Sequence, residues 1–233
     1  MPRPDPAPLN AVLIGTPKPF GPKGQPSAMD RHPVDGAVTV APDGLAGDQV
    51  GDPRVHGGAE KAVHHYPHDH YAAWAADAPD IAWRLAAPGA FGENLSVTGW
   101  TEANMCIGDI VAWGPARLQI SQARQPCWKL NVRFERKTMA KDVERTGRTG
   151  WYYRVLEGGT VAVETPLAVI DRPQPDWPLT RLKAVLDGLE SHDALAAAAV
   201  LPELADGHRR RAEKRLKSGS EGDQSARLVG PTG

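Results

Sequence analysis

The sequence has few cysteines, little net charge and no long apolar runs. Only two of its 233 residues are cysteine, which excludes a disulfide framework and is more consistent with a reducing compartment. A formal net charge of −1 gives no global field that would draw the protein to nucleic acid or to a membrane surface. No uninterrupted apolar stretch approaches the length of a bilayer, and the first residues lack the apolar centre of a secretory signal. We therefore expect a cytoplasmic protein that binds neither a nucleic acid polymer nor a membrane.

Glycine and proline, by contrast, are abundant, with 24 and 22 residues. This composition predicts many turns and short strands rather than long helices. The hydrophobic content of 41% allows a sizeable core. Short apolar or alternating runs predict strands over residues 11–15, 36–40, 62–66, 95–97, 109–113, 116–121, 151–156, 160–163 and 167–170. No internal repeat is visible.

Turn signals join some of these strands into pairs. Gly114 and Pro115 predict a hairpin between 109–113 and 116–121, and the glycines at 158 and 159 predict a second hairpin between 151–156 and 160–163. Residues 18–33 are rich in proline and glycine and are predicted to be a loop. Pro67 fits the first turn of a helix whose apolar stripe includes Tyr71 and Trp74.

The pattern changes near residue 172. Residues 172–178 resemble a linker, and the period beyond them becomes helical, with Ser191 as a candidate cap of the second helix. We expect a β-barrel domain over 1–171 with its core at about 11–171, a three-helix extension over 179–217 and a flexible tail over 218–233. The basic run from His208 to Lys217 is interpreted as a solvated helix face.

Cys127 is the strongest candidate for chemistry. It follows a predicted strand, behind Pro126 and near Arg124, so its thiol is expected to be presented rather than packed. A lone presented thiolate is either a nucleophile or a ligand for a soft metal, and the residues alone leave both possibilities open. Cys106, between Met105 and Ile107, is expected to be a buried apolar residue.

A glycine-rich segment, 55–61, is a candidate anion site. Gly57 and Gly58 would let the backbone approach a ligand closely, and Arg54 and Lys61 would supply positive charge for a phosphate. The spacing matches neither a dinucleotide fingerprint nor a P-loop, and an ordinary turn is the alternative.

Four histidines, at positions 64, 65, 68 and 70, are dense enough to suggest zinc. Their spacing matches no zinc motif, so surface or packing roles are favoured. Asn94 offers an amide that could bond a heterocycle or polarise a substrate oxygen, and Glu93 could act as an acid or base; a simple turn is equally compatible with both. Alternation places Trp151 and Tyr153 on one face, so only part of the aromatic trio 151–153 could line a site.

Seven segments in register resemble the MOSC domain family and, within it, the YiiM-like proteins. These are Gly44-Leu45-Ala46-Gly47-Asp48, Val55-His56-Gly57-Gly58, His65-Tyr66-Pro67, Phe91-Gly92-Glu93-Asn94-Leu95, Ile107-Gly108-Asp109, Arg124-Gln125-Pro126-Cys127 and Gly150-Trp151. The resemblance covers roughly residues 11–171, and the helical region resembles the extension of that subgroup. It implies a mostly β fold, a twisted antiparallel barrel with short helices, that carries a molybdenum cofactor (Mo-molybdopterin).

The resemblance also implies site roles. Cys127 would be the metal ligand and, with Asn94, a catalytic residue. The implied cofactor-binding residues are Arg54, His56, Gly57, Gly58, Lys61, Asn94 and Arg124. The implied activity is the two-electron reduction of N-hydroxylated compounds, such as hydroxylamino-purines and amidoximes, at molybdenum bound by Cys127.

Two further functions stay open at this point. Cys127 could carry a persulfide and deliver sulfur, or the chain could carry the cofactor without turnover. A reductase would need an external electron donor, a separate flavoprotein or ferredoxin-type reductase, because no flavin or iron–sulfur motif is visible. The short barrel edges and the helical extension are compatible with a homodimer, and the sequence shows no interface pattern.

Overall fold

The computed structural model describes residues 1–52, 57–220 and 222–230. Within them the strands are β1 (Leu9–Ile14), β2 (Lys18–Phe20), β3 (Gln25–Ser27), β4 (His32–Pro33), β5 (Ala37–Ala41), β6 (Gly44–Leu45), β7 (Val63–Pro67), β8 (Leu95–Val97), β9 (Ile110–Trp113), β10 (Ala116–Ala123), β11 (Trp151–Glu157), β12 (Gly159–Ala162) and β13 (Leu167–Asp171). The helices are α1 (Asp69–Asp77), α2 (Lys129–Arg133), α3 (Met139–Thr146), α4 (Leu179–Leu186), α5 (His192–Ala199), α6 (Asp206–Ser218) and α7 (Ser225–Leu228). Short 3₁₀ helices cover Ala59–Lys61 and Pro79–Leu85.

Eight strands form one curled sheet in the order β13-β9-β10-β11-β7-β8-β1-β4. The pairing is antiparallel except between β7 and β8, which run parallel. A parallel pair needs a long crossover, and the chain between these two strands contains α1. A three-stranded sheet, β12-β5-β6, and a two-stranded sheet, β2-β3, complete the strand pairing of the described residues. The mostly β, mainly antiparallel fold predicted from the sequence is confirmed.

One of the two predicted hairpins is present. Strands β9 and β10 pair with Trp113 opposite Ala116, which leaves Gly114 and Pro115 as the turn. Gly114 has a φ of 54°, a left-handed conformation that glycine adopts without a steric penalty.

The hairpin predicted between residues 151–156 and 160–163 is wrong. Strand β11 pairs with β10 and β7, whereas β12 pairs with β5 in the three-stranded sheet. The chain changes sheets at Gly158, where an added Cβ would lie 2.6 Å from the carbonyl oxygen of Val40. The glycines therefore permit a close backbone crossing here rather than a tight turn.

Two other local predictions need correction. Residues 18–33 are not a plain loop, because β2 and β3 pair there and β4 joins the main sheet beside β1. Pro67 does not begin a helix: it is the last residue of β7, in register with Val97 of the parallel pair, and α1 begins two residues later. A proline is tolerated at the end of a strand because the ladder does not continue through its missing N–H. The apolar stripe of α1 is as predicted, since Tyr71 and Trp74 are buried.

The helices α4, α5 and α6 share a hydrophobic core with the main sheet. Leu182 and Leu195 of the helices belong to the same buried cluster as Trp113 and Trp151 of the strands. Ser191 caps α5 as predicted, because its hydroxyl accepts a hydrogen bond of 3.1 Å from the N–H of Ala194. Three helices therefore occupy 179–218, whereas the division of the chain into separate units stays a proposal.

The segment predicted to be a linker is anchored to the fold at two of its residues. Arg172 pairs with Asp109 at 2.6 Å, with both side chains buried, and Trp177 is buried in the shared core. A second buried cluster, built around Tyr66, Trp74 and Phe91, lies beneath α1, α2 and α3.

The C-terminal segment is predicted to be a flexible tail. Within its described part, Ser225–Leu228 form the short helix α7, which hydrogen-bonds to residues 126–131. The mobility of the remainder stays a prediction. No helix in the described ranges is long and apolar enough to cross a bilayer.

Candidate functional site

A cleft at one end of the main sheet contains Cys127. Its empty volume is about 810 Å³ when the mouth that opens to solvent is included. Its walls come from the loop after β6, from β7 and β11, and from the loop between β10 and α2. The fold thus brings together segments that are far apart in the sequence.

Cys127 is positioned by the strand that precedes it and the helix that follows it. The N–H of Arg124 donates a hydrogen bond of 3.0 Å to Gly150, which extends the β10–β11 ladder by one residue. The carbonyl of Cys127 accepts a bond of 3.0 Å from Leu130 in the first turn of α2. The half-buried thiol lines the cleft, so the structure places this side chain where the sequence expects it.

The other cysteine has a different environment. Cys106 is fully buried, as predicted, and its N–H donates to Asp109 at 2.9 Å. Burial, reinforced by the negative charge of Asp109, raises the pKa of the Cys106 thiol to about 11. A thiol held in its protonated form is a poor ligand and nucleophile, which leaves Cys127 as the chemical candidate.

Four cationic side chains line the same cleft: Arg31, which is paired with Asp48, and Lys61, Arg124 and Lys129. Burial lowers the pKa of the Lys61 amine, and the nearby Cys127 partly opposes that shift. The Nζ of Lys129 donates a hydrogen bond of 2.8 Å to the carbonyl of Pro26. These groups favour an anionic ligand.

Arg124 differs from the other cations of the cleft in being buried with a partnerless nitrogen. Its side chain is buried, and its Nη1 has no hydrogen-bond partner. No carboxylate within the described residues forms an ion pair with it. A buried guanidinium nitrogen without a partner is costly for the fold, and Nη1 of Arg124 is left without one in the cleft that Cys127 also lines.

A buried network forms another part of the cleft wall. The Arg31 guanidinium donates from Nε and Nη2 to the two carboxylate oxygens of Asp48, at 2.8 Å each, and its Nη1 donates to the carbonyl of Gly92. Asp48 also accepts from the N–H of Gly15 at 2.8 Å. The paired charges of Arg31 and Asp48 hold the loop after β6 against the segment that precedes β8.

Asn94 belongs to this network. Its amide nitrogen donates to Asp48 at 2.9 Å and to Leu13 at 3.1 Å, while its oxygen accepts from the N–H of His64 at 2.9 Å. Both amide hydrogens are therefore engaged within the protein. This arrangement supports a structural role for Asn94 and leaves no free donor for the predicted bond to a cofactor or substrate.

Glu93 also acts within the fold. One carboxylate oxygen accepts from Tyr71 at 2.5 Å and from Gly89 at 2.7 Å, and the other accepts from Phe91 at 3.0 Å. The side chain is fully buried and does not line the cleft. It orders its own loop and is not placed to act as an acid or base on a ligand there.

His64 and Tyr152 face the cleft from neighbouring strands. They are opposite each other in the β7–β11 ladder, and their rings lie 4.9 Å apart. Burial lowers the pKa of His64 well below its ordinary value, and the Arg124 charge lowers it further, so the ring is neutral. Its Nδ1 lies 3.1 Å from the Gly92 carbonyl, which cannot donate; Nδ1 therefore carries the proton, and the partnerless Nε2 presents a lone pair.

The other histidines do not converge with His64. His65 points to the core, stacked on Trp151 with centroids 4.0 Å apart, and its Nδ1 lies 3.2 Å from the hydroxyl of Tyr153. His70 bonds to Glu102 at 2.7 Å. Alternation along β11 is as predicted, since Trp151 and Tyr153 are buried in the core while Tyr152 lines the cleft. No group of three potential metal-binding side chains is found in the part of the chain that the structure describes.

The glycine-rich segment is only partly brought to the cleft. Lys61 lines it, at the end of the 3₁₀ helix that Gly58 precedes with a φ of 96°. Gly57 and Gly58 are not among the described lining residues, so their predicted approach to a ligand stays a prediction. Arg54 and His56 lie outside the described residues.

Sequence reasoning missed Arg31, Asp48 and Lys129 as site residues, and it named Tyr152 only as a member of the aromatic trio 151–153. Arg31 falls in a segment interpreted as a loop, and Lys129 follows Cys127 without a motif of its own. Asp48 ends the segment Gly44-Leu45-Ala46-Gly47-Asp48, which is the one signal that pointed to it.

The curled sheet and a cleft that combines a thiol with several cations define a protein of the MOSC class. The MOSC domain family matches residues 52–168, and the chain belongs to that family. It is 40% identical over 214 residues to "Protein YiiM" of Escherichia coli (strain K12), a match that covers 90% of this chain and 93% of the relative.

Two further comparisons extend this relationship. The crystal structure of YiiM from Escherichia coli superimposes with a TM-score of 0.77 at 34% identity, covering 93% of this chain and 98% of that one. A protein named "Reductase" from Gibberella moniliformis (strain M3125 / FGSC 7600) is 37% identical over 220 residues, covering 93% of this chain but 39% of the fungal protein.

Proposed function

We propose that the chain is a molybdenum-cofactor-dependent reductase of N-hydroxylated compounds, such as hydroxylamino-purines and amidoximes. The observation that carries the proposal is the presence of the Cys127 thiol in one cleft with the buried side chain of Arg124, whose Nη1 has no hydrogen-bond partner. Membership of the MOSC family and the reductase name of the fungal relative support it.

The residues of the cleft fit the cofactor in chemical terms. A thiolate is a soft ligand suited to molybdenum, and Cys127 is the one thiol that lines the described cleft. Arg124, Lys61 and Lys129 suit the phosphate of the pterin. The partnerless Nε2 of His64 can accept a hydrogen bond from a ring N–H.

When bound, the molybdenum cofactor would supply the two-electron reduction of the substrate N–O bond. The chain's own residues bind and orient. Cys127 would hold the metal by its sulfur, Arg124 would neutralise negative charge, and Tyr152 would offer an aromatic face to a flat ligand. The electrons would come from a separate flavoprotein or ferredoxin-type reductase, and a homodimer remains a proposal.

Turnover with an artificial electron donor tests this function. Protein from cofactor-competent cells should reduce 6-hydroxylaminopurine and an amidoxime to the corresponding amines, and Cys127→Ala should abolish this activity. Cys106→Ala is the matched control, because that thiol is buried away from the cleft. Absence of turnover in fully loaded protein across several N-hydroxylated substrates would overturn the proposal, and sulfane sulfur on Cys127 without molybdenum would indicate sulfur transfer instead.

A further inference from the structure

The loop that carries Cys127 is held from a distant part of the chain. Strand β10 ends at Ala123 and α2 begins at Lys129, so the thiol lies on a short connection with few bonds of its own. Two peptide groups flank the thiol: the carbonyl of Pro126 before it and the N–H of Trp128 after it. The N–H of Trp128 is not used by the start of α2. The peptide groups on both sides of Cys127 therefore need partners from outside the loop.

Arg227 of α7 supplies both partners. Its Nη1 donates a hydrogen bond of 2.7 Å to the carbonyl of Pro126, and its own carbonyl accepts a bond of 2.7 Å from the N–H of Trp128. One residue thus bonds to the residue before Cys127 and to the residue after it. The bond from the guanidinium is charge-assisted and stronger than a neutral one.

Arg227 is itself anchored. Its two terminal nitrogens lie 3.2 Å and 3.3 Å from the carboxylate oxygens of Glu144 in α3, and its Nε lies 3.2 Å from the side-chain oxygen of Gln224. Both members of the ion pair are about one-fifth exposed. The paired geometry fixes the direction of the guanidinium and leaves Nη1 aimed at Pro126.

Neighbouring contacts extend the same attachment. The carbonyl of Leu228 accepts a bond of 2.9 Å from the side chain of Asn131, whose oxygen accepts 2.8 Å from the N–H of Ala140. Gly230 lies directly on the Trp128 ring, where an added Cβ would be 3.0 Å from Cγ. The segment 227–230 therefore contacts Pro126, Trp128 and Asn131, on both sides of Cys127.

We propose that Arg227 is a positioning residue for the Cys127 thiol. Its two bonds to the flanking peptide groups hold the sulfur at the cleft wall, and its pair with Glu144 holds Arg227. That Arg227 supports a metal ligand rests on the proposed function. That Arg227 controls the position of the Cys127 thiol does not. The inference concerns the residues of this chain and can be tested without any cofactor.

The test measures the alkylation rate of Cys127 in cofactor-free, full-length protein, with the modified peptide identified by mass spectrometry. Arg227→Met keeps the apolar stem but loses the bonds to Pro126 and Glu144. We expect its rate to rise at least about threefold, because the loss of one hydrogen bond shifts a local equilibrium by about that factor. Arg227→Lys should restore part of the wild-type rate, and Arg210→Met, a change at an exposed arginine of α6, should leave the rate unchanged.

Stability measured on the same variants separates positioning from simple unfolding. If Arg227 positions the thiol, Arg227→Met should be alkylated faster at Cys127 while its urea unfolding midpoint stays nearly unchanged. Its alkylation rate should also be the same in buffer and in urea concentrations well below that midpoint. A rate that is unchanged or lower in Arg227→Met overturns the proposal, and so does a rise that follows the loss of global stability.

Molybdenum content of the same variants, made in cofactor-competent cells, keeps the two proposals apart. A faster thiol reaction with no molybdenum even in the wild type would support positioning and contradict the proposed function. Full metal content with a thiol rate unaffected by Arg227→Met would support the proposed function and overturn the positioning role.

Discussion

The Asp48 carboxylate accepts two hydrogen bonds of 2.8 Å from the Arg31 guanidinium, so a buried ion pair braces the wall of the cleft that Cys127 lines. Asp48 binds Gly15 and Asn94 as well, so this one carboxylate joins four segments. Within the described residues, the side-chain hydrogen bonds of Arg31 and Asp48 go to each other and to Gly92, Gly15 and Asn94 rather than to the thiol. The two residues therefore contribute to the shape of the cleft. Because a buried ion pair that braces the fold affects its stability, the free energy of unfolding is the property to measure.

Asp48→Asn should destabilise the protein by about 3 kcal/mol, because the Arg31 charge would stay buried without its counter-charge. Urea unfolding gives the free energy. The control is Lys18→Met, which removes a surface pair whose members are 57% and 51% exposed and should change stability by less than about 1 kcal/mol. A loss for Asp48→Asn as small as that of the control would contradict the bracing role.

Arg124→Met should separate stability from binding. Removing a buried charge that has no partner should leave the free energy of unfolding unchanged or raise it by about 1 kcal/mol. Cofactor retention should fall by about fivefold or more, because a charge-assisted bond to an anion is lost. Urea unfolding and molybdenum content measure the two effects, with Arg210→Met as control. If Arg124→Met clearly lost stability but kept its full molybdenum content, Arg124 would contribute to folding rather than to cofactor binding.

His208 predicts a pH dependence of stability. Burial lowers the pKa of its imidazole to about 3, from an ordinary value of 6.5, because the ring lies buried at the start of α6 and not on the solvated face predicted from the basic run. Between these values the unfolded chain binds a proton that the folded protein does not, so stability falls as the pH falls from 6.5 towards 3.

His208→Gln should remove this contribution. The slope of unfolding free energy against pH, between about pH 5 and pH 6, should decrease by about 1 kcal/mol per pH unit. Burial also lowers the pKa of His64 and His65, so a residual slope of the same sign should remain. Urea titrations at several pH values measure both slopes, and identical slopes for variant and wild type would show that His208 is protonated in the fold.

Gly158→Ala tests the crossing between the two sheets. The added Cβ would lie 2.6 Å from the Val40 carbonyl oxygen, so one backbone must move, and we expect a loss of about 2 kcal/mol. Gly207→Ala is the matched control, since an added Cβ there meets nothing within 4 Å and alanine favours the helix by about 0.5 kcal/mol. Thermal and urea unfolding compare them; equal behaviour would mean that the crossing tolerates a side chain.

Most of the described strands were predictable from sequence because their apolar patterns are local. Strands β2, β3 and β4 were not, because the segment 18–33 that contains them is rich in proline and glycine. The alternation of β10 and the turn at Gly114 and Pro115 contain all that is needed to form that hairpin. The glycines after β11 carry the same local signal, yet β12 pairs with β5, more than a hundred residues earlier. The strand with which another strand pairs depends on packing between distant segments. A local turn signal does not contain that information.

The site divides in the same way. The accessibility of the Cys127 thiol was predictable, because a cysteine behind Pro126 just after a strand is a local sequence signal. The thiol is half-buried and lines the cleft. The family resemblance implied a ligand role for Asn94, whose amide has free donors in isolation, whereas the fold uses both donors on Leu13 and Asp48. Arg227 lies 101 positions from Pro126, and nothing local to either residue indicates their bond.

The central claim is that the Cys127 sulfur binds molybdenum, and metal analysis of freshly purified protein from cofactor-competent cells tests it most directly. Wild type and Cys106→Ala should each hold about one molybdenum per chain, and Cys127→Ala should hold less than about a tenth of that, since the sulfur would be the chain's ligand to the metal. Full molybdenum content in Cys127→Ala would contradict the claim.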